Sequence, residues 1–206
     1  MSGSNQSQQQ LHLERVVTAA PLGWVVSPAS LHATPLPLIA IHGEDGGIRG
    51  FRGHFSRRNA HVAALAADPR ALILFTGPNA YASSSWLSNR QLAPTWLYAA
   101  ARFTVEVTVR PDPQSVKDAL CELIVAMERR NGSDWRVAEM SGRFDGLAAG
   151  VIAFDARVVD AVEHCKLGLN EEPGVRREMV EGLRATGDHM LADWVVRAAV
   201  EAGIDT

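Results

Sequence analysis

Hydrophobic and polar positions alternate most cleanly over residues 98–110. Phe103, Val105, Val107 and Val109 fall on one side of the pattern. Arg102, Thr104, Glu106, Thr108 and Arg110 fall on the other. A period of two over that length predicts a strand with one buried face. Directly after it, Asp112-Pro113 opens a helix, with Asp as N-cap and Pro at the first helical position. Val116, Ala119, Leu120, Leu123, Ile124 and Met127 form its apolar stripe, and Asn131-Gly132 closes it.

The same reading extends along the chain. Residues 11–20 have helical spacing through Leu13, Val16 and Val17, ended by Pro21. Residues 23–27 read as a short strand, and 36–42 as a second whose start Pro35 and Pro37 confine to an edge or a bulge. A turn at 43–47 leads to a returning strand at 48–53. Residues 59–67 form a short helix, with Asn59 as N-cap and Pro69 beyond its end. The wholly apolar 71–75 is a buried strand. Residues 133–143 are irregular, with one helical turn around Trp135, and 151–159 form a late strand. Two terminal helices follow at 173–183 and 189–202, with stripes of Val175, Met179 and Leu183, then Met190, Trp194, Val195 and Ala198.

Strands gathered in hairpins, rather than alternating with helices, place the chain in the α+β class. The expectation is a mainly antiparallel sheet, curled or closed, with helices at its ends. Residues 1–10 are rich in Ser, Gly, Asn and Gln and read as a disordered tail. One domain is expected over 11–170, with a helical extension over 171–206 packed on it.

Charge and composition exclude some functions. Twenty Lys and Arg against 23 Asp and Glu leave a net charge of -3, without the basic excess of a nucleic-acid binder. Direct DNA contact is therefore not expected. No apolar run reaches the ~18 residues of a membrane helix. Two cysteines make no disulfide framework. Cys121 lies on the apolar helical stripe and reads as a buried free thiol, which suits the cytoplasm.

Three polar-aromatic clusters carry the candidate chemistry. The first runs Gly53-His54-Phe55-Ser56-Arg57-Arg58-Asn59 at the start of a short helix. Backbone amides and a forked guanidinium there suit an anion such as phosphate, although a capped helix with solvated arginines explains the same residues. The second is a loop, 76–86, with Gly77-Pro78, Ser83 to Ser85, Tyr81 and Trp86. Trp86 suits a ligand ring and a core contact equally. The third, Pro94-Thr95-Trp96-Leu97-Tyr98, enters the long strand. Phosphate donors together with exposed aromatic rings point to flavin mononucleotide, FMN. No metal-ligand spacing and no nucleophile with a base appear, so no catalytic or metal residue is named.

The ordered clusters, with Thr34-Pro35-Leu36-Pro37 before them and Lys166-Leu167-Gly168-Leu169-Asn170 after them, resemble the PaiB-like family of FMN-binding negative transcriptional regulators. The resemblance implies an FMN-binding split β-barrel of Greek-key type, acting as a cytoplasmic homodimer. It implies FMN contacts from Thr34, His54, Ser56, Arg57, Asn59, Trp86, Thr95, Trp96, Lys166 and Asn170. Leu97 and Leu169 stand where that family carries amides. Where those amides touch the flavin, each exchange implies a loss of about 0.5–1.5 kcal/mol of affinity. The function implied is a regulator or flavin sensor rather than an enzyme. The alternatives are a flavin-dependent oxidoreductase of small molecules and an interaction protein without ligand.

Overall fold

The computed structural model describes residues 2–205, with side chains from Gln9 onward. The chain begins with helix α1 (Ser2–Ala19), followed by strands β1 (Leu22–Ser27), β2 (His32–Pro37), β3 (Ile39–His42) and β4 (Ile48–Ser56). Helix α2 (His61–Ala67) precedes β5 (Arg70–Ala82), a 3-10 turn at Ser84–Trp86 and β6 (Thr95–Arg110). Then come α3 (Pro113–Asn131), a second 3-10 turn at Val137–Met140, α4 (Arg143–Ala149) and β7 (Val151–Lys166). Helices α5 (Pro173–Ala185) and α6 (His189–Glu201) end the chain.

The sheet has the order β2-β1-β5-β6-β7-β4-β3. β5, β6 and β7 follow one another, and β4, earlier in the chain, lies beside β7. That is the Greek-key arrangement. The sheet ends at β2 and β3 and does not close. The expected strand over 36–42 is two strands, β2 and β3, parted at Leu38. Leu38 is buried and donates its N–H to Pro21 C=O at 2.9 Å. Even-numbered residues of β2 thus turn their amides toward β1, and Pro35 and Pro37 take the outward positions, where an edge strand tolerates proline.

The chain divides into two compact units, one of residues 1–75 and 102–162, the other of 76–101 and 163–206. The first unit buries Phe51, Phe55, Phe75, Phe103 and Phe154. Phe51 and Phe103 meet edge to face at 4.8 Å, and Phe55 and Phe154 lie 4.9 Å apart. The expected face of β6 is the observed one: Phe103, Val105 and Val107 are buried. Its opposite face carries ion pairs such as Arg110–Asp155 at 3.1 Å and Arg102–Asp160 at 3.2 Å. Gly53 on β4 has no room for a side chain, since a Cβ would lie 2.7 Å from Leu38 Cδ2 and 2.9 Å from Phe154 Cζ. α3 has the expected caps: Asp112 accepts the Ser115 N–H at 2.8 Å, and Gly132 is left-handed at φ 68°.

α1 reaches back to Ser2, through the segment expected to be a tail. Glutamine is a fair helix former, and Gln9 anchors the helix by donating to Ala161 C=O at 3.3 Å. At its other end the Arg130 guanidinium donates to the carbonyls of Thr18 and Ala19, a favourable charge at a helix C-terminus.

In the second unit α5 and α6 form an antiparallel pair. Leu97, Leu167, Met179, Leu183, Leu191 and Val195 are its buried centre. Met190 was expected on the α6 stripe but is 54% exposed, because the buried face runs through Leu191, Ala192, Val195, Ala198 and Ala199. β5 also differs from expectation. It continues through Gly77-Pro78 to Ala82, so most of the expected loop is strand. β1 pairs with β5 at Leu72–Leu74, short of Pro78, and the missing amide of Pro78 breaks no bond to β1.

Candidate functional site

Five of the ten candidate residues lie in the first unit: Thr34, His54, Ser56, Arg57 and Asn59. The structure joins Thr34 and Asn59 in a network centred on His61, at the start of α2. His61 is fully buried. Its Nδ1 lies 2.9 Å from Thr34 Oγ1, and its Nε2 lies 2.8 Å from Ser27 Oγ. Asn59 Nδ2 donates to Thr34 Oγ1 at 3.3 Å, and Asn59 Oδ1 accepts the His61 N–H at 3.0 Å. The expected helix cap is thus present as a turn, two residues before the helix begins. His32 stacks on His61 with ring centres 5.3 Å apart, and Phe55 meets it edge on. The sequence offered no signal for this role of His61 or Ser27, because the partners come from three separate elements.

Arg57 is exposed, but part of its fork is engaged. Nε donates to Ala149 C=O at 3.1 Å and Nη2 to Val151 C=O at 2.9 Å. A cavity of about 330 Å³ lies beside it, lined by Pro113, Val116, Lys117, Asp145 and Ala148. Ser56 is exposed at the end of β4. His54 is half-buried, and its Nδ1 is buried without a hydrogen-bond partner.

Burial holds the pKa of His54 below the ordinary 6.5. Burial, with His32 adding repulsion, does the same to His61. The fold accepts the neutral imidazoles, whereas the unfolded chain binds a proton on each near 6.5. Their contribution to stability is complete above pH 6.5 and is lost as pH falls through the lower folded values. Thermal melts from about pH 8 to pH 5 should show a midpoint that declines below pH 6.5. A His61→Gln variant should decline less over that range.

The second unit holds Trp86, Thr95, Trp96, Lys166 and Asn170. Trp96 is 53% exposed, and its indole Nε1 donates to Asn79 Oδ1 at 3.1 Å. The half-exposed ring of Tyr81 lies 6.2 Å from it. Thr95 is half-buried, while Lys166 and Asn170 are exposed. Trp86 packs against α5 at Gly182. Glu178 accepts the hydroxyl and the amide of Ser88, and these bonds hold its carboxyl below the usual range. They fasten the 87–92 loop to α5.

Arg176, which no sequence signal marked, organises the loop after β7. It is 2% exposed. Its guanidinium donates to the carbonyls of Gly168, Leu169, Glu171 and Asp205. Folding these carbonyls inward onto one cation fixes the segment that carries Lys166 and Asn170. Leu97 is fully buried in the core of this unit, and Leu169 packs against the same cluster. Both aliphatic side chains therefore serve packing.

In the first unit Arg57 retains Nη1, Ser56 offers a hydroxyl and His54 carries an orphaned buried nitrogen, groups that suit an anion. In the second unit Thr95 offers a hydroxyl, and Trp96 and Tyr81 present ring faces that suit a planar ring. Among the described residues no three His, Cys, Asp or Glu side chains gather as a metal site. No described helix is long and apolar enough to cross a membrane.

A family model described as "Putative FMN-binding domain" matches residues 2–160. Protease synthase and sporulation protein PAI 2 of Bacillus subtilis (strain 168) is 28% identical over 137 residues, covering 64% of this chain and 63% of that protein. The chain thus spans less than two thirds of the curated relative's length. Among solved structures, a "putative 5-nitroimidazole antibiotic resistance protein" of Bacteroides thetaiotaomicron superposes with a TM-score of 0.55 at 10% identity, over 76% of this chain and 83% of that one. The FAD and heme binding protein of Mycobacterium smegmatis also gives 0.55, at 16% identity, over 76% and 71%. These two likenesses concern the fold.

Proposed function

The chain belongs to the family of that FMN-binding domain, and from this premise we propose that it binds FMN and acts as a PaiB-like regulator or flavin sensor. The observation that carries the proposal is the family match over residues 2–160, which includes eight of the ten candidate residues. Ser56, Arg57 and Asn59 would hold the phosphate. Thr34, Thr95 and Trp96 would supply ring or ribitol contacts, with Lys166 near the edge of the ring, and His54, Trp86 and Asn170 complete the set. FMN, when bound, supplies the redox couple, and the protein supplies position and electrostatics. His54 is half-buried with its pKa lowered, which supports a neutral contact there rather than a proton carrier at neutral pH.

Regulation fits a protein partner better than direct DNA contact, given the net charge of -3. The two free cysteines support a cytoplasmic location. A homodimer is part of the same reading and is tested by light scattering.

Purified protein titrated with FMN should quench flavin fluorescence and gain thermal stability. No quenching and no thermal shift at excess FMN would sink the proposal. Arg57→Ala should weaken FMN binding about 10-fold or more, the value of a charge-assisted bond. Unchanged affinity would remove Arg57 from the site.

A further inference from the structure

The network around His61 contains more information than its distances. The His61 main-chain N–H can only donate, and it meets Asn59 Oδ1. That fixes the orientation of the Asn59 amide, so Nδ2 is the donor to Thr34 Oγ1. Thr34 has thus accepted one hydrogen bond.

Ser27 settles the imidazole. It is 3% exposed, and His61 Nε2 is the partner of its hydroxyl among the described residues. With the ring proton on Nε2, the Ser27 hydrogen would be buried with nothing to accept it, a state buried hydroxyls avoid. With the proton on Nδ1, Ser27 donates to Nε2 and Nδ1–H donates to Thr34 Oγ1. The hydroxyl hydrogen of Ser27 and the ring hydrogen of His61 then both meet acceptors. Both lone pairs of Thr34 are filled, one by Asn59 and one by His61. The Thr34 hydrogen meets no acceptor among the described residues, and the side chain is half-buried.

We infer that His61 is a positioning residue, held as its Nδ1–H tautomer, that makes Thr34 a one-way hydrogen-bond donor to an acceptor oxygen of the ligand. His32 and Phe55, against the faces and edge of the ring, hold its plane. The same saturation excludes a ligand N–H or O–H donor at Thr34. The identity of the ligand rests on the FMN reading, where carbonyl and phosphate oxygens are the acceptors on offer. The tautomer rests on this chain's own residues.

Long-range proton–nitrogen NMR of the ¹⁵N-labelled, ligand-free protein tests it, with His61→Gln identifying the signal. The expected pattern is a protonated Nδ1 and a bare Nε2 at neutral pH. A protonated Nε2 would overturn the inference. FMN titration of two variants tests the donor role. Thr34→Ser should bind within about twofold of wild type, and Thr34→Val about tenfold more weakly. A Val variant that binds as tightly as wild type overturns the donor role. Wild-type protein that takes no FMN sinks the function proposed above, while the NMR pattern still decides the tautomer.

Discussion

Replacing Arg176 by Met should destabilise the protein by about 1–3 kcal/mol, the cost of leaving buried acceptors without a donor. The guanidinium is buried at the base of α5, with four main-chain carbonyls around it. Methionine fills the volume of the stem but donates nothing. The carbonyls of Gly168, Leu169 and Glu171 would lose their shared donor, and so would Asp205 near the chain end. Urea unfolding followed by tryptophan fluorescence measures the effect. Arg176→Lys should recover only part of it, because one ammonium cannot reproduce a planar fork. A Met variant with the wild-type midpoint would show that the carbonyls find other donors without cost.

Gly182→Ala is expected to cost about 1–3 kcal/mol, the range for overpacking. The direction is informative, because Ala in a helix interior ordinarily gains roughly 0.5–1 kcal/mol over Gly. Here a Cβ would stand 2.3 Å from Cδ2 and Cε3 of the Trp86 indole. Either Trp86 moves away or α5 does. A double variant, Trp86→Leu with Gly182→Ala, should be more stable than the sum of the two single effects, since the smaller side chain removes the clash. A stabilised Gly182→Ala protein would show that the indole swings aside freely.

Local signals made much of the fold legible. The alternation in β6 and the Asp112-Pro113 and Gly132 caps of α3 act within a few residues, so the chain states them directly. The strand ends were not legible. β5 and β7 run well beyond their apolar stretches, to Ala82 and Lys166, because hydrogen bonds to neighbouring strands extend them through polar sequence. α4 was missed since RFDGLAA has little stripe and a central glycine. In the candidate site, the motif residues were visible as residue types. Their engagements were not. Arg57 turning to Ala149 and Val151, and Thr34 held by His61, are contacts across 27 to 94 positions of chain. Arg176 shows the same limit: nothing in its neighbours along the chain marks an arginine that will be buried.

The two prolines on β2 have a consequence for how copies of the chain can meet. A strand from another molecule would find no amide hydrogen at Pro35 or Pro37, so that rim of the sheet is a poor template for ladder extension. Assembly of this protein is therefore steered toward side-chain surfaces, and fibre-like stacking along that border is discouraged by two missing hydrogens.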